Sequence, residues 1–518
     1  MKYTRFYKAL SLLLTGAFLT GISGCSDFLD EQDPSNLTPD SFYTIPDHAE
    51  AALAAVYADM RFIGNDGGIF SSTWQLLEAP TGTSTTETAQ NSDLNNLYGL
   101  VYDGRTQHLI NYWNGLYRVI ANANLVIDKV PGINPMDDAQ KTKVLGEARF
   151  LRAWAYFYLV RLWGDVPLIT LPQTAASEDF RPSPSSKEVV YDLIVEDLKI
   201  AENSGFPWMD ISGRASLAAT KSLLAQVYMT MAGFPLSKGA SHYQLAAEKA
   251  EEVINYSIGN PLLLNLFPDY KSLHNEELDN RLEHIFMLQY NVVVAGNPMN
   301  NMFPNFKPVT FAGPSGTGST VPTIEFYESY EPGDLRAVNQ EGFFYTSYFT
   351  NGSGAPFDLG APYIFKHFNQ TALGKEGVPG TRNNNLNVPL IRFAEVLLLY
   401  AEAQNEVGGP NALAYESMKR IRDRAKLTTP PIGQFTKETF REAVWRERWH
   451  ELCYEQITWF DMLRLRKVYN ELTNGFDEFV GHINQSSKEP LQAKHLLMPY
   501  PLPEMQNNPN LQPQNPGY

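Results

Sequence analysis

Residues 138–163 constrain the fold more than any other stretch of this 518-residue chain. Asp137 or Asp138 can cap a long helix running to Trp163, and Gly164 stops it. Val144, Ala148, Leu151, Ala155, Tyr158, Leu159 and Leu162 recur at i, i+3/i+4 spacing and form one apolar stripe. Phe150, Trp154 and Phe157 lie on another face. A helix apolar on two faces is packed on both sides. The same periodicity predicts helices over 49–60 behind Asp47, 111–130 ended by Pro131-Gly132, 187–202, 214–232 and 242–256. Further helices are predicted over 389–407, 411–425, 437–453 and 456–471. They come as pairs with short links, at about the period of tetratricopeptide repeats, although the repeat is imperfect. Ala246, Ala247 and Ala250 suit one such close-packed pair.

Between the two helical blocks the pattern breaks. Residues 257–387 are rich in Gly, Pro, Asn and aromatics, with short alternating runs at 285–290 and 342–349. Long loops of this kind inside a compact protein are usually functional. The last twenty residues are Pro- and Asn-rich and read as irregular. The expected fold is therefore mostly α: a scaffold of helix pairs over 47–256 and 388–471, and an irregular, loop-rich half with short strands over 257–387.

The amino terminus carries an address. Lys2, Arg5 and Lys8 precede an apolar run from Ala9 to Leu19, too short for the roughly 20 residues a spanning helix needs. That is the grammar of a secretory signal. Ile22-Ser23-Gly24-Cys25 resembles the bacterial lipobox, which implies lipid on Cys25 and cleavage before it. Residues 1–24 are then a signal peptide, 25–46 a lipidated tether with Pro34, Pro39 and Pro46, and 47–518 a single body. With Cys25 lipidated, Cys453 has no disulfide partner and reads as a small buried residue. The net charge of −16 argues against nucleic acid, which needs a basic surface. Aromatic residues make up 12% of the chain, more than a helical core of this kind needs, so some rings are expected at a binding surface.

Catalytic and metal motifs are mostly missing. His450-Glu451 lacks the second His of a zinc-protease motif, and the nine His residues have no metal-ligand spacing. No GxSxG elbow occurs. Gly313–Thr320 approaches a phosphate-binding loop, but Ser319 stands where Lys is required and Pro322 breaks the following helix; the stretch reads as a flexible surface loop. Glu447 and Glu451 lie one helical turn apart, and a glycosidase works with paired carboxylates. With Arg446, Arg448, Arg464 and Arg466 around them in sequence, ion pairing is the better reading. Glu395 and Glu402 are expected to pair with Arg from neighbouring helices, which would lower their pKa values. No catalytic residue, metal site or cofactor is expected.

Several segments together resemble one family. They are Gly146-Glu-Ala-Arg-Phe-Leu-Arg-Ala-Trp-Ala-Tyr-Phe-Tyr-Leu-Val-Arg-Leu-Trp-Gly-Asp-Val-Pro-Leu168, Val388-Pro-Leu-Ile-Arg-Phe-Ala-Glu-Val-Leu-Leu-Leu-Tyr-Ala-Glu-Ala403, Ile421-Arg-Asp-Arg-Ala425, Arg446-Glu-Arg-Trp-His-Glu-Leu452, Trp459-Phe-Asp-Met-Leu-Arg464 and the ending Asn508–Tyr518. In order and spacing they resemble the SusD/RagB family of outer-membrane nutrient-binding lipoproteins. The lead-in Cys25-Ser-Asp-Phe-Leu-Asp30 also resembles family members. The resemblance implies tetratricopeptide-like helix pairs, a lipid anchor in the outer membrane with the body facing the cell exterior, and a SusC-like TonB-dependent transporter as partner. The lipoprotein would hold an oligosaccharide or polysaccharide as a lid over that transporter, without covalent chemistry. Peptide capture of the RagB type and glycoside hydrolysis are the rival readings.

Sugar rings stack on aromatic faces while their hydroxyls need amide, carboxylate or Arg partners. Two stretches supply that mixture. Trp74, Asn91, Asp93, Asn95, Asn96, Tyr98 and Tyr102 make the first; Asn301, Phe303, Phe306, Tyr345, Tyr348 and Phe349 make the second. Trp74 has an alternative role, starting a short helix at Ser72 and packing inward. Trp113, Trp154, Trp163, Trp445, Trp449 and Trp459 are expected in the core.

Overall fold

The structure is a computed structural model, and it describes residues 42–64, 71–87, 91–173, 177, 180–299, 302–303, 309, 317–350, 352–380 and 384–518. The expected signal peptide and lipidation site at Cys25 lie outside the described residues. Residues 45–518 form one compact unit.

The helices are α1 (Pro46–Asp59), α2 (Ser92–Tyr98), α3 (Gln107–Lys129), α4 (Asp138–Trp163), α5 (Lys187–Glu202), α6 (Leu217–Ala232), α7 (Ala240–Gly259), two short ones, α8 (Ile324–Glu328) and α9 (Gln370–Leu373), then α10 (Phe393–Gly408), α11 (Ala412–Arg424), α12 (Lys437–Leu452), α13 (Thr458–Leu465) and α14 (Leu502–Asn507). Among the described residues no helix is long and apolar enough to cross a membrane. Among the described residues the strands pair only two by two. They are β1 (Ser84–Thr85) with β5 (Val321–Pro322), β2 (Val166–Pro167) with β3 (Pro184–Ser185), β4 (His284–Leu288) with β10 (Val388–Arg392), β6 (Phe344–Phe349) with β7 (Pro356–Ile364), β8 (Gly374–Lys375) with β9 (Val378–Pro379), and β11 (Lys467–Asn470) with β12 (Gly475–Glu478).

Helix α4 is built as its sequence demands. The Asp137 side chain accepts from Gln140 N, and Gly164 ends the helix at φ +78. Its second face is fully used: Phe157 meets Tyr191 of α5, Phe150 meets Phe286 of β4, and Trp154 meets Phe62. Gly115 lets α3 approach just as closely, since a Cβ there would strike the Phe62 ring. The helices pack in a row, α3 on α4, α4 on α5, α5 on α6 and α6 on α7. The row then continues from α7 to α10, and from α10 to α11 and α12. The segment between Gly259 and Phe393 is thus an excursion between two helices that are neighbours in the row.

Three predicted elements change. The helix expected at 389–407 begins only at Phe393, because 388–392 pairs with β4 instead. Pro389 is tolerated there because the register is irregular at that point. The helix expected at 456–471 ends at Leu465. Arg466 turns left-handed, and Val468 and Tyr469 then point into the core from the β11–β12 hairpin. The carboxy-terminal stretch expected to be irregular holds α14.

A buried ionic seam joins the excursion to the scaffold. Arg392 contacts Glu283, Glu451 and Glu455 at 2.5, 3.3 and 2.7 Å. Arg424 contacts Glu283 and Glu451 at 2.5 and 2.7 Å. Arg336 contacts Asp334 and Glu447, Arg422 contacts Glu447, and Lys366 contacts Glu455 at 2.5 Å. The expected pairing of Glu447 and Glu451 therefore holds, but with Arg336, Arg392, Arg422 and Arg424 rather than with the Arg residues nearest in sequence. Glu402 pairs with Arg464 as expected, at 2.6 Å. Glu395 does not follow the expected lowering. Its nearest cation, Arg448, is 4.0 Å away, and burial pushes its carboxyl up to about 7.

Candidate functional site

The first candidate stretch folds inward. Ser72 caps a short turn at 73–76: its Oγ accepts from Trp74 N, and Gln75 Oε1 accepts from Ser72 N. This buries Trp74 completely, edge-on to Phe303 and His367. Gln75 Nε2 donates to Ser319 O and Thr320 Oγ1, and Tyr98 OH donates to Ser319 O at 3.3 Å. Burial pushes the Tyr98 hydroxyl up to about 12. Ser319 and Thr320 are themselves buried, so the described end of the Gly-rich stretch is an interior clamp rather than the expected surface loop. Tyr102 is buried between Tyr518 and His495. Asn91 caps α2 by accepting from Leu94 N at 2.9 Å, and Asp93 accepts from Gln107 N.

The second stretch also turns its named rings inward. Tyr345 and Tyr348 join Val309, Val321, Leu359, Tyr363, Phe365, Phe368 and Leu373 in one apolar cluster. Tyr345 OH donates to Phe303 O, and Tyr348 OH donates to Gly374 O at 2.5 Å. Phe303 is 1% exposed. Asn301 and Phe306 lie outside the described residues. The expectation that Trp74, Tyr98, Tyr102, Phe303, Tyr345 and Tyr348 stand exposed is thereby corrected. Each is a large ring whose burial removes apolar surface from water, and among the described residues all but Tyr98 pack against other rings. Of the Trp residues expected in the core, Trp113, Trp154, Trp163, Trp449 and Trp459 are buried, while Trp445 is half-buried.

What these rings do is hold a polar rim. Residues 84–87 are pinned beside 317–322. β1 pairs with β5, Glu87 N donates to Gly318 O, and Tyr363 OH donates to Glu87 Oε1 at 2.6 Å. Gly318 has φ +57, and a Cβ there would collide with the Glu87 carboxylate. Glu87 is exposed, and Asp93, Asn95 and Asn96 on α2 are half-exposed. On the β6–β7 hairpin Phe349 and Phe357 stay partly exposed while packing on the buried ring cluster. Tyr348 pairs with Phe357 across that hairpin. Exposed carboxylate, amides and ring faces are the groups a polyol ligand requires. Glu87 and Phe357 were not singled out from the sequence. The alternation along 356–363 is the signal that could have marked Phe357, but nothing local marks Glu87, which is placed by Tyr363 and Gly318.

Among the carboxyls that burial raises, Asp279, pushed up to about 7, is half-exposed. Burial drives up Glu78 to about 8, and Glu395 and Glu471 to about 7, all at buried positions. Among the described residues no three His, Cys, Asp or Glu side chains are placed to hold a metal ion.

The sequence model of the SusD family matches residues 272–518, and one described as "Starch-binding associating with outer membrane" matches residues 27–229. A SusD superfamily structure from Parabacteroides distasonis is 34% identical with a TM-score of 0.85, covering 93% of this chain and 100% of that one. The chain belongs to the SusD family. Among its SusD-family relatives, SusD-like protein P2 of Formosa agariphila is 29% identical over 96% of this chain and 98% of that protein. A laminarin-binding SusD-like protein shares the SusD fold, with a TM-score of 0.69 and 24% identity over 92% of this chain and 100% of that one.

Proposed function

We propose that this SusD-family protein is a glycan-binding lipoprotein. It is anchored through Cys25 in the outer membrane, faces the cell exterior, and captures oligosaccharide or polysaccharide as the lid of a SusC-like TonB-dependent transporter. The reading is carried by the match of residues 27–229 to a family described as starch-binding and outer-membrane-associated, together with SusD-family matches over the rest of the chain. A laminarin-binding protein with the same fold supports it. The capture surface proposed here is the rim that unites Glu87, Asp93, Asn95 and Asn96 with the ring faces of Phe349 and Phe357. Binding is non-covalent: C–H faces stack on the rings and hydroxyls exchange hydrogen bonds with amides and carboxylates. Each contact is weak, and several along one chain add up.

Affinity gels cast with starch, laminarin, xylan and mannan test the main claim. Retardation by at least one polysaccharide is the expected result. No retardation by any of them, with oligopeptide binding by calorimetry, would replace the reading by peptide capture. Release of reducing sugar from those polysaccharides would replace it by hydrolysis. For the anchor, Cys25→Ala should shift the protein out of the membrane fraction; unchanged membrane association contradicts lipidation.

A further inference from the structure

A separate cavity of about 500 Å³ lies on the helical scaffold, bordered by α3, residues 167–173, Phe180, Pro182 and α14. That size falls in the range of roughly 300–1,000 Å³ usual for small-molecule sites. Its aromatic part is Tyr117 beside Trp113, ring centroids 4.9 Å apart, and Phe180, which is 55% exposed. Tyr117 OH donates to Pro167 O at 2.9 Å, which fixes that ring in place.

Four of the polar side chains that line it are unengaged. Asn114 and Arg118 come from α3, Glu504 and Asn507 from α14, and among the described residues none of these four side chains has a hydrogen-bond or ion-pair partner. By contrast Asn508, next in sequence, donates to Pro182 O. Arg118 and Glu504 line the same space without pairing to each other. Burial raises the Glu504 carboxyl. A purely apolar occupant would strip water from four polar groups and return nothing. An anion would meet Glu504, and a cation would meet Arg118. A neutral polyol meets neither objection. Its hydroxyls accept from Arg118, donate to Glu504 and do both with the two amides, while its C–H face lies on the rings.

We propose that this cavity is a second binding site, for a neutral mono- or disaccharide, distinct from the capture rim. It rests on the cavity's own chemistry and not on the rim reading.

The test titrates the detergent-solubilised full-length protein with maltose, cellobiose, laminaribiose and mannobiose by calorimetry. Wild type, the Arg118→Gln/Asn507→Ala double variant and Phe357→Ala are compared. Arg118 and Asn507 are exposed and bond to nothing, so the melting curve of the double variant should match wild type. One saturable event is expected with at least one disaccharide. The double variant should weaken it about tenfold or more, the loss of a hydrogen bond or two, and Phe357→Ala should leave it unchanged. The proposal is overturned if none of the disaccharides binds at millimolar concentration, if the double variant binds as wild type does, or if Phe357→Ala abolishes the event. Polysaccharide gels run in parallel keep the two readings apart. Retardation without disaccharide binding in the cavity removes this site alone. Disaccharide binding without retardation removes the capture rim alone.

Discussion

The two halves of this protein are held together by different physics. In the helical row, each element buries a regular apolar stripe against the next, as α4 does with Phe157 on α5. In the excursion between α7 and α10, the strands pair only two by two, and the segments are held by buried charges and crowded rings. Apolar packing loses energy gradually as contacts are trimmed. Buried charge is different, because removing one partner leaves the others unpaired in a poor solvent. The irregular half should therefore fail abruptly at a few positions and tolerate change elsewhere.

Arg392→Ala is the strongest way to break that contrast. It removes the one cation shared by Glu283, Glu451 and Glu455, leaving these three buried carboxylates with Arg424 and Lys366 alone among their closest partners, and should cost about 3–5 kcal/mol in denaturant-monitored unfolding. A loss no larger than that of an ordinary surface substitution would show that the seam does not hold the halves together. Tyr348→Phe is the next step down. It removes the bond to Gly374 O and leaves that carbonyl without its partner, for about 1–2 kcal/mol by the same measurement. Phe357→Ala reverses the order of effects. The ring is only partly buried, so stability should fall by less than about 1 kcal/mol, while polysaccharide affinity should fall about tenfold if the ring belongs to the capture rim. Equal losses of stability in Tyr348→Phe and Phe357→Ala would erase the distinction between inward and outward rings on that hairpin.

The smallest effect is in pH. Burial raises Glu78, Glu395 and Glu471, to about 8, 7 and 7. A carboxyl raised in the folded state lends stability that is complete below the ordinary carboxyl range and is lost as pH rises through its folded pKa. Burial holds His108, His274, His284 and His367 down at about 4, so these penalise the fold at acid pH, with an effect that has faded by about one unit above the ordinary His value, near pH 7.5. Above about pH 7.5 the raised carboxyls set the slope, and the melting temperature should decline between about pH 7.5 and 8.5. Glu395→Gln should flatten part of that decline. An unaltered slope in the variant would mean that Glu395 stays charged through its near contacts with Gln226 and Arg448.

Legibility followed the same divide. The bounds of α5 could be read to the residue from periodicity, those of α4 to within the choice of Asp137 or Asp138 as its cap, and the family from scaffold segments. Both depend on contacts a few residues apart. The ring roles could not be read, because a Tyr or Phe in an irregular stretch carries no period to say which way it faces. Trp74 shows the one partial exception: the Ser72–Gln75 cap is local, and it already held the inward alternative.

By itself, the order of residues determined the scaffold helices and most of their stops, the irregular stretch over 257–387, and the presence of charged groups that had to be paired. Only the tertiary structure decided which charges pair and which rings stay in water. Arg392 finds Glu283, Glu451 and Glu455 across 109, 59 and 63 positions of chain. Glu87 is placed at the rim by Tyr363, 276 positions away. Helical periodicity is a property of neighbours on the chain. Pairing and exposure are properties of neighbours in space, and they exist only once the excursion has closed onto its scaffold.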